Sequence, residues 1–352
     1  MSTFDRLAGL PLQIDGYELE ARESNVSSGF LRKSTLIRLI GAGEDGIGED
    51  VTYDSVDQEN LQAAGPALPL AGSWTLASFC DHIERLDLWP QPAQREPSVN
   101  YRIWAYESAA LDLALCQSGL SLHGALGRDP QPVNFVCSLR LNDPDEAPSL
   151  ARIEDRIARY PTLRFKLDPT PDWDEAIITG LVAGGAVDSV DFKGLYEGTV
   201  VDAPADPVFY ARIAEAFPQA WMEDPKLTPE TDEALRPHRA RITWDANIHS
   251  VADVDALPFA PQMVNVKPSR FGPLRELFRM YDECERRGIR MYGGGQFELG
   301  PGRGHIQLLA SIFHADTPND VAPSAYNESS PPDGLPASPL PVAAHPVGMR
   351  WG

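Results

Sequence analysis

Five segments decide the fold: LRFKLD (163–168), SVDFKG (189–194), AWMEDP (220–225), RITWDAN (241–247) and MVNVKP (263–268). Each is a short apolar run closing on a charged residue, in the order Lys166, Asp191, Glu223, Asp245, Lys267. The steps between these residues are 25, 32, 22 and 22 positions, about the length of one strand-plus-helix unit. Strands alternating with helices at this spacing build a parallel sheet and, repeated enough times, a closed (β/α)₈ barrel. Reactive groups in such a barrel sit at the carboxyl ends of strands, where these residues fall. Three carboxylates flanked by two lysines therefore mark a candidate site.

Outward from this stretch the pattern continues. PVNFVCSLRL (132–141) reads as the preceding strand, with Asp143-Pro144 opening a helix. Downstream, a helix from Pro273 to Arg287 stops at Gly288, IRMYGG (289–294) makes a seventh strand, and a helix opens near Gly304. The eighth strand is weak and lies in NDVAP (319–323). The barrel so defined occupies 128–325. Before it, DGYELEARES (15–24) and RKSTLIRLIGA (32–42) alternate like half-buried strands, and helical periodicity covers 75–88 and 100–118. GAGEDGIGED (41–50) is expected to be a glycine-rich connection, with no strand–helix context for a nucleotide site. Residues 1–127 thus form an α+β domain. The Pro- and Ser-rich tail, 326–352, cannot hold a helix and is expected to return over the first domain, burying Leu335, Leu340, Val342, Val347 and Trp351.

Composition narrows the function. The chain has 352 residues, 43% hydrophobic and 23% charged, enough for one barrel and a smaller domain. No apolar run is long enough to span a membrane, and the start lacks the basic-then-apolar pattern of a secretory signal. Cys80, Cys116, Cys137 and Cys284 form no CxxC pair, so reduced thiols and a cytoplasmic setting are expected. A net charge of −21 argues against nucleic acid or an anionic membrane as partner. A small carboxylate-bearing substrate would need local positive charge, such as a divalent metal plus lysines. A homo-oligomer is compatible with all of this.

Asp191, Glu223 and Asp245 offer three oxygen ligands from consecutive strands, a set suited to Mg²⁺, or Mn²⁺ in its place. A substrate carboxylate on that metal would favour removal of the adjacent proton, because positive charge stabilises the enediolate. Lys166 and Lys267 lie on opposite sides of the metal-bearing strands, where a neighbouring cation lowers a lysine's pKa towards that of a general base.

The order and spacing resemble the enolase superfamily, in its muconate-lactonizing-enzyme-like branch. RFKLD resembles the K-x-K strand, AWMEDP and ITWDAN the second and third metal-ligand strands, and VNVKPSRFG the strand-six lysine motif. GGGQFELGPGRGHIQLLAS resembles the strand-seven segment, and ESAALDLALCQSGLSLHGALG the end of the capping domain. The resemblance implies an α+β capping domain on a modified (β/α)₈ TIM-like barrel, Mg²⁺ holding a substrate carboxylate, and the two lysines as bases on opposite faces. It implies isomerisation (racemase, epimerase or cycloisomerase); alternatively dehydration of the o-succinylbenzoate synthase kind. A third reading is a non-catalytic binding protein whose metal site is impaired.

Departures from the pattern matter. Arg164 stands at the first K-x-K position, too basic to act as a base. Lys193 stands where the family usually has Asn, two past the first ligand, and either holds a substrate anion or weakens metal binding. Ala246-Asn247 replaces the usual Glu-Ser. Arg164, Lys193, Asn247, Glu298 and Arg32 are the expected substrate contacts, Arg32 through a loop over the barrel mouth. Gly300 to Gly304 leads into a helix N-terminus able to hold an anion. His249 and His305 are read as packed or exposed side chains.

Overall fold

The alternating segments of the first domain pair as read. In a computed structural model describing residues 1–352 except 27–29, 143–145, 197–202 and 329, strands β2 (Gly16–Asn25), β3 (Leu31–Gly41) and β4 (Glu44–Asp50) form an antiparallel meander. Strands β1 (Pro11–Ile14) and β5 (Gly72–Thr75) make a separate two-stranded sheet. The meander packs on the 20-residue helix Ser98–Gln117.

β4 corrects the sequence reading, which took its glycines for a connection. Ala42 and Gly43, at φ 52° and 82°, make a tight turn, and EDGIGED then pairs with β3 along its whole length. A Cβ at Gly46 would stand 2.2 Å from the Leu113 nitrogen, and one at Gly48 would stand 1.9 Å from the Ala105 carbonyl. The glycines let strand and helix backbones touch, a use that looks like loop composition in sequence.

The barrel strands are β6 (Cys137–Leu139), β7 (Phe165–Leu167), β8 (Val187–Asp191), β9 (Trp221–Glu223), β10 (Ile242–Trp244), β11 (Met263–Val266) and β12 (Arg290–Gly293). They are parallel and spatially adjacent in chain order. The helices between them carry the caps their sequences announce. Asp174 and Asp206 accept from first-turn amides, Ser250 caps Val251–Asp255, and Gly288 ends Leu274–Arg287 with φ 69°. Helix Pro229–Leu235 was not foreseen. The expected helix start at Asp143-Pro144 lies outside the described residues.

Closure is made by two residues rather than a strand. Asn319 bridges to Phe135 and Asp320 to Gly294, with Val136 N–H donating to the Asn319 carbonyl at 2.8 Å and Asp320 N–H to that of Gly293 at 2.8 Å. Pro318 and Pro323 flank the segment and cannot donate to a ladder. The Asn319 side chain compensates: its oxygen accepts from Gly293 N–H at 2.6 Å, and its amide donates to the carbonyls of Asn134, His314 and Thr317.

The tail runs past β6, with an antiparallel bridge between Val133 and Leu340, and then reaches the first domain. There Leu122 N–H donates to the Gly348 carbonyl at 3.0 Å, and Met349, fully buried, donates its N–H to Asp112 at 2.7 Å. Leu340 is buried; Leu335, Val347 and Trp351 are half-buried; Val342 is exposed.

Candidate active site

Register fixes the geometry at the carboxyl ends of the strands. Asp191 is level with Glu223 across β8 and β9, and Thr243 is level with Glu223, so Asp245 follows two residues further on, just past the end of β10. Side chains two apart share a face, which turns Lys166, Asp191, Glu223, Asp245 and Lys267 into the barrel, all five buried.

Lys166 donates to Glu223 and lies 3.2 Å from Asp191 and 3.7 Å from Asp320. Burial opposes its charge, but the Glu223, Asp191 and Asp320 carboxylates raise its pKa well above the usual lysine value. Lys267 donates to Asp245 at 2.8 Å. Burial lowers its pKa, Asp245 pulls it back up, and the nearby Arg270 and Lys166 add to the lowering. Two lysines on one cluster thus have opposite leanings.

The carboxylates are heavily partnered. Lys193 turns back at φ 55°, so that both its backbone N–H, at 3.1 Å, and its ammonium reach Asp191. Asp191 is drawn below the usual carboxylate range, against its burial, by Lys193 and Lys166. Asp245 accepts from Lys267, from Arg270 at 2.8 Å and from the Tyr196 hydroxyl at 3.1 Å. Glu223 accepts from the Tyr292 hydroxyl. Asp224, at φ 49°, accepts from the N–H groups of Asp245 and Ala246 at 2.8 and 2.9 Å, and burial beside Asp245 and Asp191 pushes its pKa up to about 7.

The donor set fits a hard divalent cation. Asp191, Glu223 and Asp224 bring one oxygen each to within 4.8 Å of one another, all buried. Asp245 stands beside this group, held by its cationic partners. Below Lys267, both amide atoms of buried Asn265 lack a hydrogen bond, which leaves polar capacity inside the barrel for water or a ligand.

The other expected contacts scatter. Glu298 is buried, accepts Gln296 N–H at 2.6 Å and pairs with Arg303 at 3.0 Å. Arg164 is not brought to the cluster: it pairs with Asp188 at the opposite end of the strands, beside a polar cavity of about 290 Å³. Asn247 is exposed in a turn, because β10 ends at Trp244 and alternation stops there. Arg32 is neither on the surface nor open to substrate. It is fully buried, donates to the carbonyls of Thr52, Val51, Gln296 and Phe297, and stacks on Tyr53. The helix N-terminus after Gly300 is filled by Glu49, which accepts from Leu299, Gly300 and Gly302 N–H. His305 is buried and held neutral, its pKa lowered by burial to about 4; His249 is half-buried.

Sequence reasoning missed Asp224, Tyr196, Arg270, Tyr292 and Asp320. Two of them had a visible signal: Asp224 directly follows Glu223, and Arg270 lies three residues past Lys267.

The fold, an α+β domain beside a parallel barrel, is similar to that of solved structures described as members of the enolase superfamily. A dipeptide epimerase from Methylococcus capsulatus, solved with Mg and the dipeptide L-Arg-D-Lys, superposes with a TM-score of 0.72 at 18% identity, covering 96% of this chain and 99% of that one. The chain belongs to the family described as "Domain of unknown function (DUF8230)", whose N-terminal domain matches residues 5–125 and C-terminal domain residues 129–328. Among curated relatives, an N-succinylamino acid racemase from an Amycolatopsis species is 30% identical over 230 residues, 62% of this chain and 60% of that protein. An o-succinylbenzoate synthase from Geobacillus stearothermophilus is 29% identical over 230 residues, 63% and 59% of the two lengths. The matches span about 60% of these relatives. Among the described residues, no helix is long and apolar enough to cross a membrane.

Proposed function

We propose that this protein is an enzyme that removes the proton α to a substrate carboxylate and returns one from the opposite face, so that the product is an isomer. The observation that carries this reading is the pair of buried lysines on one carboxylate cluster, Lys166 against Glu223 and Asp191, and Lys267 against Asp245. Asp191, Glu223 and Asp245, with Asp224 alongside, are the residues that would hold Mg²⁺ or Mn²⁺. Such a cation, when bound, supplies positive charge against the substrate carboxylate and the enediolate that replaces it.

The chain's own groups do the rest. Lys267 has its pKa lowered by burial and by Arg270, and it takes the α-proton onto Nζ. Lys166, held cationic by its carboxylates, delivers a proton to the other face of the planar enediolate; the return direction reverses the roles. Substrates are sought among dipeptides and N-acylamino acids, the classes named by the epimerase and racemase relatives.

Dehydration is the second reading, favoured by the o-succinylbenzoate synthase relative. In it Lys267 removes the same proton and passes it to the departing β-hydroxyl, which leaves as water, while Lys166 stays cationic beside the enediolate.

The test is ¹H/²H exchange by NMR in D₂O with Mg²⁺, over dipeptides, N-acylamino acids and succinylbenzoate precursors. Exchange with inversion supports isomerisation, and loss of water from the precursor supports dehydration. Either lysine changed to Ala is expected to slow turnover by about 10²–10⁴-fold. Absence of exchange on every substrate, together with no Mg²⁺ uptake by calorimetry, would leave a binding protein instead.

A further inference from the structure

Lys193 sits where a divalent ion at this site needs a bare carboxylate. Its left-handed backbone, uncommon for a residue with a Cβ, folds the side chain back so that N–H and ammonium both clasp Asp191. A second resting place lies beside it. Asp168 Oδ1 is 3.8 Å from Lys193 Nζ, buried, and without a hydrogen bond, while the other Asp168 oxygen accepts from Arg140 at 3.0 Å. One ammonium therefore stands between two carboxylates, in contact with the one a metal needs and within a small side-chain rotation of the one it does not.

We propose that Lys193 is a tethered counter-cation that gates the divalent site: the ammonium leaves Asp191 for Asp168 when a metal binds, and returns when the metal leaves. This rests on the metal-binding reading above. Because displacement of an ion pair precedes ligation, resting affinity for the cation is weak. A substrate carboxylate that arrives with the metal offsets the repulsion between ammonium and ion, so metal and substrate bind with positive coupling. Asp168 is in this account a positioning residue that acts through Lys193.

The test is Mn²⁺ binding, read as loss of the free-ion EPR signal, on the full chain and on Lys193→Asn, Asp168→Asn and the double variant. Asn tolerates the left-handed backbone, and circular dichroism checks that each variant is folded. Lys193→Asn is expected to bind Mn²⁺ at least tenfold more tightly than the wild type. Asp168→Asn is expected to bind about three- to tenfold more weakly, because the ammonium loses its alternative partner. In the double variant the Asp168 effect should vanish. Equal or weaker binding by Lys193→Asn overturns the proposal, as does an Asp168 effect of the same size with and without Lys193. If no variant takes up Mn²⁺ at about 10 mM, Lys193 is not the barrier and the proposal also falls. Proton exchange by the wild type, run with and without chelator, reports separately whether the proton-abstraction reading stands.

Discussion

Replacement of Glu49 by Ala tests how the first domain holds the barrel's seventh loop. The carboxylate is fully buried and accepts four hydrogen bonds: from Ser34 Oγ at 2.7 Å, Leu299 N–H at 2.7 Å, and Gly300 and Gly302 N–H at 3.0 Å each. Removing the acceptor strands three backbone donors and a hydroxyl, and an orphaned buried donor costs roughly 1–3 kcal/mol. Two effects reduce the sum: water enters the space, and repulsion from Glu298, which with burial raises the Glu49 pKa, disappears. The expected loss is about 3–5 kcal/mol. At about 2.1 cal/mol/K per residue, unfolding entropy at this length is about 0.7 kcal/mol per degree, so the midpoint should fall by about 4–7 °C. Ser34→Ala, which removes one donor, should cost under about 1.5 kcal/mol. Scanning fluorimetry on the three proteins decides it. A Glu49→Ala shift no larger than that of Ser34→Ala would refute the view that this carboxylate closes the helix N-terminus.

Acid stability should separate two buried groups by sign. Burial lowers the His314 pKa to about 4, so the unfolded chain takes up a proton near pH 6.5 while the fold stays neutral, and stability falls as pH drops from about 6.5 to about 4. Between pH 7.5 and 5 the wild type should lose about 2 kcal/mol more than His314→Gln in urea titrations; parallel profiles would count against a neutral His314. Glu107 runs the other way: burial raises its pKa to about 7, so its contribution is full below about 4.5 and is lost as pH rises through 7. Glu107→Gln should therefore flatten the opposite slope. All four cysteines are buried and free, and burial pushes the Cys116 and Cys284 thiols up to about 11 and about 12. Ellman's reagent should react with none of them quickly in native protein and with all four in urea; fast native labelling would show an opening that the packing does not provide.

The five strand-end residues were legible because two periodicities coincide there, the strand-helix repeat that sets their spacing and the alternation that turns each inward. What escaped the sequence lies where alternation breaks. Asp224 is the neighbour of an inward-facing Glu223 and should face outward, but its φ of 49° turns it back into the cluster. Lys193 lies beside Asp191 although β8 has already ended: a left-handed turn, not strand alternation, brings it there. Asn247 shows the reverse: expected to touch substrate, it falls in an exposed turn after β10 has ended. Arg32 could not be read locally at all, because its four carbonyl acceptors come from two distant segments of the chain. β4 was hidden by glycines whose purpose is visible only against the helix they touch.

The remaining question is which third carboxylate joins Asp191 and Glu223 on the cation, and here proximity and bonding point in different directions. Asp224 is the nearer to Asp191 and Glu223, yet both its oxygens are engaged by the backbone N–H groups of Asp245 and Ala246. It braces the end of β10, and a pKa of about 7 leaves it only partly ionised near neutrality. Asp245 is held fully anionic by Arg270 and Lys267, partners that a cation and an arriving substrate can displace without breaking main-chain bonds. A divalent ion selects anionic oxygen over a neutral acid. Asp245→Asn should therefore weaken Mn²⁺ binding by about 30-fold or more. Asp224→Asn keeps one acceptor for the brace and should change it by no more than about threefold. The opposite ranking in an EPR titration would make Asp224 the ligand and Asp245 the partner of Lys267 alone.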